Sequence, residues 1–131
     1  MARILLIDDD PVILEMIQDI LRKYAKREYN AEWDLRIHTA PDAVKGLELL
    51  SEFNYELIVT DILMAKMDGW EFIKNVRKTY SQLDLPIVVL SAVDAVELEY
   101  KSMRFGASAW MQKPIRPREF TNQVFNLISE R

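Results

Sequence analysis

Near its amino terminus the chain reads Arg3-Ile4-Leu5-Leu6-Ile7-Asp8-Asp9-Asp10-Pro11. The run from Arg3 to Ile7 is short and continuously apolar, which is typical of a strand buried on both faces of a parallel sheet. Asp10 and Pro11 mark a helix start, because aspartate caps free N–H groups and proline fits the first helical turn. This stretch therefore predicts a buried strand, a pair of carboxylates and the beginning of a helix.

Short apolar runs alternate with longer segments of helical period along the whole chain. The predicted strands are Arg3–Ile7, Leu35–Thr39, Leu57–Thr60, Pro86–Leu90 and Ala109–Gln112. This alternation favours an α/β fold in which helices cover both faces of a parallel sheet. We expect one domain over residues 1–131, a doubly wound (βα)5 three-layer sandwich with the flavodoxin-like strand order 2-1-3-4-5.

Apolar spacing and capping residues predict the helices. The first has an apolar face with members three or four residues apart, namely Ile13, Met16, Ile17, Ile20, Leu21 and Tyr24. Asp68 and Asp94 each precede a glutamate by three residues, which resembles a capping box at a helix start. Gly106 suits a left-handed helix end. The segment Lys26–Trp33 has no clear period, so we interpret it as a helix end followed by a loop.

The fifth helix is predicted to begin around Pro117. Its expected buried residues are Phe120, Val124, Leu127 and Ile128. The fourth helix carries two partial apolar stripes, Val96/Tyr100/Met103 and Leu98/Phe105, so one of them is a candidate exposed docking surface. His38, Met64 and Met67 are interpreted as packing residues rather than ligands.

The composition excludes several classes of function. The net charge is −4 and no run of Lys or Arg exceeds two residues, so the broad positive field that attracts nucleic acid or anionic lipid is missing. There is no cysteine, hence neither a disulfide framework nor a thiolate metal site. The apolar run at the N-terminus is too short for a signal peptide or a membrane span, and we expect a cytoplasmic protein.

Reactive side chains follow four of the predicted strands. They are Asp8 and Asp9 after the first strand, Asp61 after the third, Ser91 after the fourth and Lys113 after the fifth. Because the carboxyl ends of parallel strands meet at one edge of the sheet, we expect these side chains to converge there. Clustered carboxylates repel one another unless a divalent cation neutralises them, and Mg²⁺ prefers carboxylate and water oxygens. An aspartate in such a site can attack phosphorus and form an aspartyl-phosphate.

These residues resemble the response regulator receiver family over essentially the whole chain. The matching segments are Ile7-Asp8-Asp9-Asp10-Pro11, Asp61 to Gly69, Val89-Leu90-Ser91-Ala92, Gly106-Ala107, Trp110 and Lys113-Pro114. The resemblance implies a domain that accepts a phosphoryl group from a sensor histidine kinase or a histidine phosphotransfer protein, with small acyl phosphates as substitutes. It also implies a cis bond between Lys113 and Pro114.

The resemblance assigns a role to each site residue. Asp61 is the phosphoacceptor, and Lys113 contacts the phosphoryl oxygens. The Mg²⁺ ligands are Asp9 and Asp61 directly, Asp8 through water and the carbonyl of Leu63. After phosphorylation, Ser91 moves toward the phosphate and Trp110 turns inward, which changes the surface formed by the fourth helix, the fifth strand and the fifth helix.

The chain departs from the family pattern at several positions. Ala65 stands where proline is usual, and Trp110 replaces a tyrosine or phenylalanine. Leu63 and Val93 are apolar two positions beyond Asp61 and Ser91, where they would shield the phosphoryl group from water. We therefore predict slow self-dephosphorylation.

Other functions compete with this interpretation. The segment Asp8-Asp9-Asp10-Pro11-Val12 also fits the opening motif of haloacid-dehalogenase-like phosphatases, in which Asp8 would be the nucleophile and Asp10 the acid/base. A flavodoxin-type carrier needs a Thr/Ser/Gly-rich phosphate loop where this chain has acids. A receiver used as a binding module without phosphorylation is a third alternative. The sequence leaves the kinase, the downstream target and homodimerisation open.

Overall fold

A computed structural model describes residues 2–29 and 34–129. Five strands alternate with five helices in this part of the chain. In chain order they are β1 (Ala2–Ile7), α1 (Pro11–Glu28), β2 (Leu35–Ala40), α2 (Ala43–Glu52), β3 (Leu57–Thr60), α3 (Gly69–Arg77), β4 (Ile87–Ser91), α4 (Ala95–Phe105), β5 (Ala109–Gln112) and α5 (Pro117–Ser129). Each predicted strand is present, with bounds that agree to within one residue at either end.

The five strands form one parallel sheet in the order β2-β1-β3-β4-β5. This confirms the predicted flavodoxin-like order. The direction in which successive strands are added to the sheet reverses between β1 and β3. These two strands pair through Ile7 and Thr60 at their carboxyl ends. The residues that follow these two strands are therefore neighbours at the point where such sheets bind ligands.

Two hydrophobic clusters cover the two faces of the sheet and make the predicted three layers. On one face α1 and α5 pack over a cluster that includes Leu6, Val59 and Phe120. On the other face α2, α3 and α4 pack over a cluster that includes Leu5 and Phe72. Met64 and Met67 pack against this second cluster, as predicted. Within residues 2–29 and 34–129, no helix combines the length and apolarity needed to cross a membrane.

The predicted caps hold the helix ends. The Asp10 side chain accepts from the N–H of Val12 at 2.9 Å, and Asp68 accepts from the N–H of Glu71 at the same distance. Asp94 caps α4 in the same way. Gly106 ends α4 in the left-handed conformation with φ of 92°, a region that glycine adopts without a side-chain clash.

One prediction about α1, the composition of its buried face, needs correction. Ile17 and Leu21 are buried as expected, but Met16 is 37% exposed. The buried residues of α1 also include Leu14 and Ala25. Apolar residues cover more than half of the helix circumference, so the sequence pattern agrees with either of two neighbouring faces being buried. Packing against the sheet determines which of the two faces is buried. The helix ends at Glu28, inside the segment Lys26–Trp33 that the sequence predicts to be a helix end followed by a loop, and residues 30–33 lie outside the described residues.

Candidate functional site

The ends of β1 and β3 bring three carboxylates together. Asp8 and Asp9 follow Ile7 directly, and Asp61 follows Thr60. The N–H of Asp61 donates to the carbonyl of Ile7 at 2.9 Å, which fixes the two strand ends side by side. Carboxylate oxygens of Asp8, Asp9 and Asp61 lie within 4.8 Å of one another. The convergence predicted from the sequence is therefore present.

Lys113 follows β5 and supplies positive charge to this cluster. Its ammonium group donates to Asp8 Oδ2 at 2.9 Å and to Asp61 Oδ2 at 3.0 Å. Burial lowers the pKa of Lys113, but hydrogen bonds and charge attraction from the two carboxylates outweigh burial and raise the pKa above its ordinary value. The ammonium therefore stays charged at neutral pH. The Lys113–Pro114 peptide bond is cis, as the family resemblance implied.

Asp8 is almost fully buried and its other oxygen is also bonded. Oδ1 accepts from the N–H of Asp10 at 2.9 Å. Burial raises the pKa of Asp8 above its usual range, while the bonds from Asp10 and Lys113 oppose that shift. Asp9, by contrast, is exposed. The cluster thus combines a buried carboxylate with one that solvent reaches freely.

The backbone around Asp61 is tightly held. Its Oδ1 accepts from the N–H of Ile62 at 2.6 Å and of Leu63 at 3.3 Å. At the start of α3, the N–H of Gly69 donates to the carbonyl of Ile62 at 2.9 Å. A Cβ at position 69 would lie 2.7 Å from the Cα of Ile62, so only glycine allows this approach. The sequence did not predict this role for Gly69.

Ser91 and Trp110 lie on adjacent strands. Ser91 is fully buried, and among the described residues its hydroxyl has no hydrogen-bond partner. Its carbonyl accepts from the N–H of Lys113 at 2.8 Å, so Ser91 and Lys113 are joined through the backbone. Trp110 is half-buried and packs against the core cluster on the α3/α4 face.

The two residues predicted to shield the phosphoryl group differ in exposure. Leu63 is 57% exposed, whereas Val93 is buried in the core cluster.

Gln112 holds the loop that follows Ser91, a role that the sequence did not predict. Its Nε2 donates to the carbonyl of Val93 at 3.0 Å. Its position next to Lys113 was the only sequence signal for this contact.

The donor set fits a hard divalent cation. In the part of the chain that the structure describes, the ammonium group of Lys113 contacts two of the three clustered carboxylates, so negative charge exceeds positive charge at the site. Oxygen donors of this kind suit Mg²⁺, which commonly takes one or two carboxylates and keeps several waters. The chemistry of the residues present therefore agrees with the predicted metal.

Comparison with protein families matches residues 4–125 to the response regulator receiver domain. The chain belongs to this family, whose members are the receiver domains of two-component systems. Two similar solved structures are the Francisella response regulator 1452 receiver domain and the Vibrio cholerae chemotaxis protein CheY4. The first has a TM-score of 0.84 at 25% identity and covers 99% of this chain and 98% of that chain. The second has a TM-score of 0.80 at 26% identity, with coverages of 97% and 98%.

Curated relatives include both kinases and regulators. The sensor histidine kinase TmoS of Ectopseudomonas mendocina is 31% identical over 127 residues, which cover 97% of this chain and 12% of that protein. The DNA-binding dual master transcriptional regulator RpaA of Synechocystis is 28% identical, with coverages of 98% and 49%. The chain spans between 8% and 56% of the length of the first such relatives.

Proposed function

We propose that Asp61 accepts a phosphoryl group in a two-component or phosphorelay pathway, and that residues 1–131 act as the receiver unit. The observation that carries the proposal is the contact of Lys113 with Asp61, inside a carboxylate cluster at the switch point of the sheet. A cation next to the nucleophile stabilises the oxygens of a transferring phosphoryl group.

The transfer is a displacement at phosphorus. An oxygen of Asp61 attacks the phosphorus of a phosphohistidine or an acyl phosphate, and a P–O bond forms. The bond from phosphorus to the donor nitrogen or oxygen breaks, and its electron pair stays with the donor. Lys113 contacts the transferred oxygens. The domain promotes its own phosphorylation and dephosphorylation, and we do not class it as an enzyme with a separate substrate.

Asp8, Asp9, Asp61 and the carbonyl of Leu63 would hold Mg²⁺. When bound, the ion adds positive charge that neutralises the phosphoryl oxygens. The bonds from Ile62 and Leu63 to Oδ1 keep the Asp61 carboxylate in a fixed orientation before the donor arrives. Pre-positioning of this kind lowers the entropic part of the barrier.

Ser91 and Trp110 form the proposed switch. A buried hydroxyl without a partner carries a cost that a new acceptor removes. A phosphoryl oxygen on Asp61 would be such an acceptor, and movement of Ser91 toward it makes room for Trp110 to turn inward. The change then reaches the surface of α4, β5 and α5, where a downstream protein binds.

The proposed partners are a sensor histidine kinase or a histidine phosphotransfer protein as donor, and a protein target that reads the switched surface in the cytoplasm. The kinase TmoS and the regulator RpaA among the relatives agree with a role between these two kinds of partner. The phosphatase alternative would require Asp8 as nucleophile, so the position of the phosphorylated aspartate distinguishes the two functions: Asp8 would support the phosphatase and Asp61 the receiver. The family match favours a receiver over a phosphatase or a flavin carrier.

The proposal is tested by incubation with acetyl phosphate and Mg²⁺, followed by intact-mass measurement. We expect the wild type to gain one phosphoryl group and Asp61→Asn to gain none. Equal modification of the two proteins would overturn the proposal. A wild type that stays unmodified while the phosphohistidine of an added kinase is also retained would support the phosphorylation-independent binding module instead.

A further inference from the structure

The side chain of Gln112 ties the loop after β4 to the end of β5. Its Nε2 donates to the carbonyl of Val93 at 3.0 Å, two residues beyond the buried Ser91. Gln112 and Ser91 are also direct partners in the parallel pairing of the two strands, and the carbonyl of Ser91 accepts from the N–H of Lys113 at 2.8 Å. The loop is therefore held at two points, by a backbone bond at Ser91 and by a side-chain bond at Val93.

The order of the strands gives these two bonds different roles. Since β4 lies between β3 and β5, Asp61 lies on one side of β4 and Gln112 on the other. Movement of the loop toward a phosphoryl group on Asp61 therefore moves it away from Gln112. The backbone bond at Ser91 belongs to the strand pairing and can remain as a hinge. The bond at Val93 lies beyond this hinge, and at about 3.6 Å between donor and acceptor it would no longer be a hydrogen bond.

We propose that Gln112 is a positioning residue that holds this loop on the β5 side in the unphosphorylated protein, and that its bond to Val93 breaks when the loop moves. The inference rests on the proposed function, since a phosphoryl group on Asp61 is the acceptor toward which Ser91 moves. Gln112 then contributes to the free-energy cost of the switch, although it does not contact the reacting atoms.

The surroundings of Gln112 support a role in the switch. Side chains alternate along a strand, so Gln112 projects from the same face of the sheet as Trp110, which packs against the core cluster on the α3/α4 face. Val93 belongs to that cluster, and the next residue, Asp94, caps α4. α4 packs on the same cluster through Leu98, so of its two apolar stripes this one faces the core. The Gln112 side chain thus lies where the loop, the beginning of α4 and β5 meet.

The effect on switching is tested with Gln112→Leu, which removes the amide donor and keeps a side chain of similar size. Beryllofluoride, which mimics a phosphoryl group on a carboxylate, is titrated in Mg²⁺ buffer and its binding is followed by tryptophan fluorescence. We expect Gln112→Leu to bind about fivefold more tightly than the wild type, because a typical hydrogen bond no longer opposes the movement of the loop. Gln82→Leu makes the same change at an exposed position between α3 and β4 and should bind like the wild type.

Amide hydrogen exchange, measured by NMR, tests the bond in the free protein. The N–H of Leu98 donates to the carbonyl of Asp94 at 2.8 Å, in the first turn of the helix that follows the loop. Loss of the bond at Val93 should speed the exchange of this N–H several-fold in Gln112→Leu. The N–H of Leu14 is the internal control, because it makes the equivalent bond at the start of α1 and should exchange at the wild-type rate.

Failure of the proposed function would differ from failure of this role for Gln112. A wild type that binds no beryllofluoride would overturn both. If the wild type binds it and Gln112→Leu binds it equally or less tightly, only the role of Gln112 is overturned, even where Leu98 exchanges faster. A purely structural bond stabilises both states of the loop alike and leaves the affinity unchanged. Unchanged exchange at Leu98 would also contradict the proposal, because Gln112 would then not hold the loop.

Discussion

The ammonium nitrogen of Lys113 lies 3.0 Å from the carboxylate of Asp61, a residue 52 positions earlier in the sequence. The two side chains meet because each follows a strand of the same parallel sheet. Lys113 also contacts Asp8 at 2.9 Å, so one cation is shared by carboxylates from two neighbouring strands. The net negative charge that remains favours a metal ion, and the ion together with Lys113 would supply the positive charge that phosphoryl transfer needs.

Mg²⁺ should stabilise the folded domain through Asp9. At a concentration ten times its dissociation constant, a ligand that binds only the folded state adds about 1.4 kcal/mol to the free energy of unfolding. Asp9→Asn should lose most of this gain, whereas Glu15→Gln, which changes another exposed acid, located on α1, should keep it. Urea unfolding with and without MgCl₂ measures the effect. An equal gain in the free energy of unfolding on addition of MgCl₂ to the wild type and to Asp9→Asn would show that Asp9 is not a metal ligand.

Lys113→Met should impair both stability and phosphorylation. Without the ammonium, the buried carboxylates of Asp8 and Asp61 face each other unpaired, and metal-free protein should lose about 2 kcal/mol of unfolding free energy. The rate of phosphorylation by acetyl phosphate should fall about 100-fold, because a charge-stabilising donor is lost. Lys113→Arg keeps the charge and should retain part of both properties. A Met variant phosphorylated at the wild-type rate would contradict the assigned role.

Lys66→Gly should stabilise the protein. Lys66 has a φ of 71°, in the left-handed region that glycine adopts without strain. Relief of this strain should exceed the loss of the 3.6 Å contact between the exposed Lys66 ammonium group and the half-buried Asp42 carboxylate, for a net gain of about 0.5 to 1 kcal/mol. Ala65→Gly is the control and should destabilise, since Ala65 does not have a positive φ. Chemical unfolding should show changes of opposite sign in the free energy of unfolding of the two variants relative to wild type. A loss of stability in both variants would contradict the argument.

His38 should make stability depend on pH. Its Nδ1 lies 2.7 Å from the hydroxyl oxygen of Tyr55. Burial is the larger cause that lowers the pKa of His38 below 6.5, and repulsion from Arg3 and Arg36 lowers it further. At pH values between this lowered pKa and 6.5, the unfolded state therefore binds more protons than the folded state. The free energy of unfolding falls as the pH drops through that window and levels off below it. His38→Gln should show a shallower decline in urea unfolding at a series of pH values. Identical slopes would mean that His38 does not titrate differently on folding.

The phosphorylated protein should decay slowly, over minutes or longer in Mg²⁺ buffer. Leu63 is two residues from Asp61 and 57% exposed, and an apolar side chain at this position would hinder attack by water on the phosphoryl group. Leu63→Asn should accelerate decay several-fold, while Leu83→Asn, an exposed change outside the site, should not. Decay of the wild type within seconds would contradict the prediction. Because Val93 is buried, we expect its direct contribution to be smaller.

Much of the fold follows from local sequence signals. The strands are short apolar runs, and helix starts such as Asp10, Asp68 and Asp94 depend on contacts within a few residues. The site followed from one further rule, that parallel strands deliver their carboxyl ends to the same edge of a sheet. Local chemistry and topology together therefore predicted where Asp8, Asp61 and Lys113 would meet.

Contacts between segments distant in sequence were not predictable in this way. Arg77 donates to the carbonyl of Leu85 at 2.7 Å and to that of Gly106 at 2.8 Å, and burial lowers its pKa to about 10. Nothing in the local sequence distinguishes this arginine from the exposed ones. The face that α1 buries was also ambiguous, because its apolar residues extend over more than one face and the choice depends on tertiary packing.

The central claim is that Asp61 forms an acyl phosphate, and the most direct test is to locate that bond. Borohydride reduces an aspartyl-phosphate to homoserine, which peptide mass spectrometry assigns to a position. After treatment with acetyl phosphate and Mg²⁺, we predict homoserine at position 61 alone. Homoserine at position 8, or at neither position in a protein that has gained a phosphoryl group, would contradict the account.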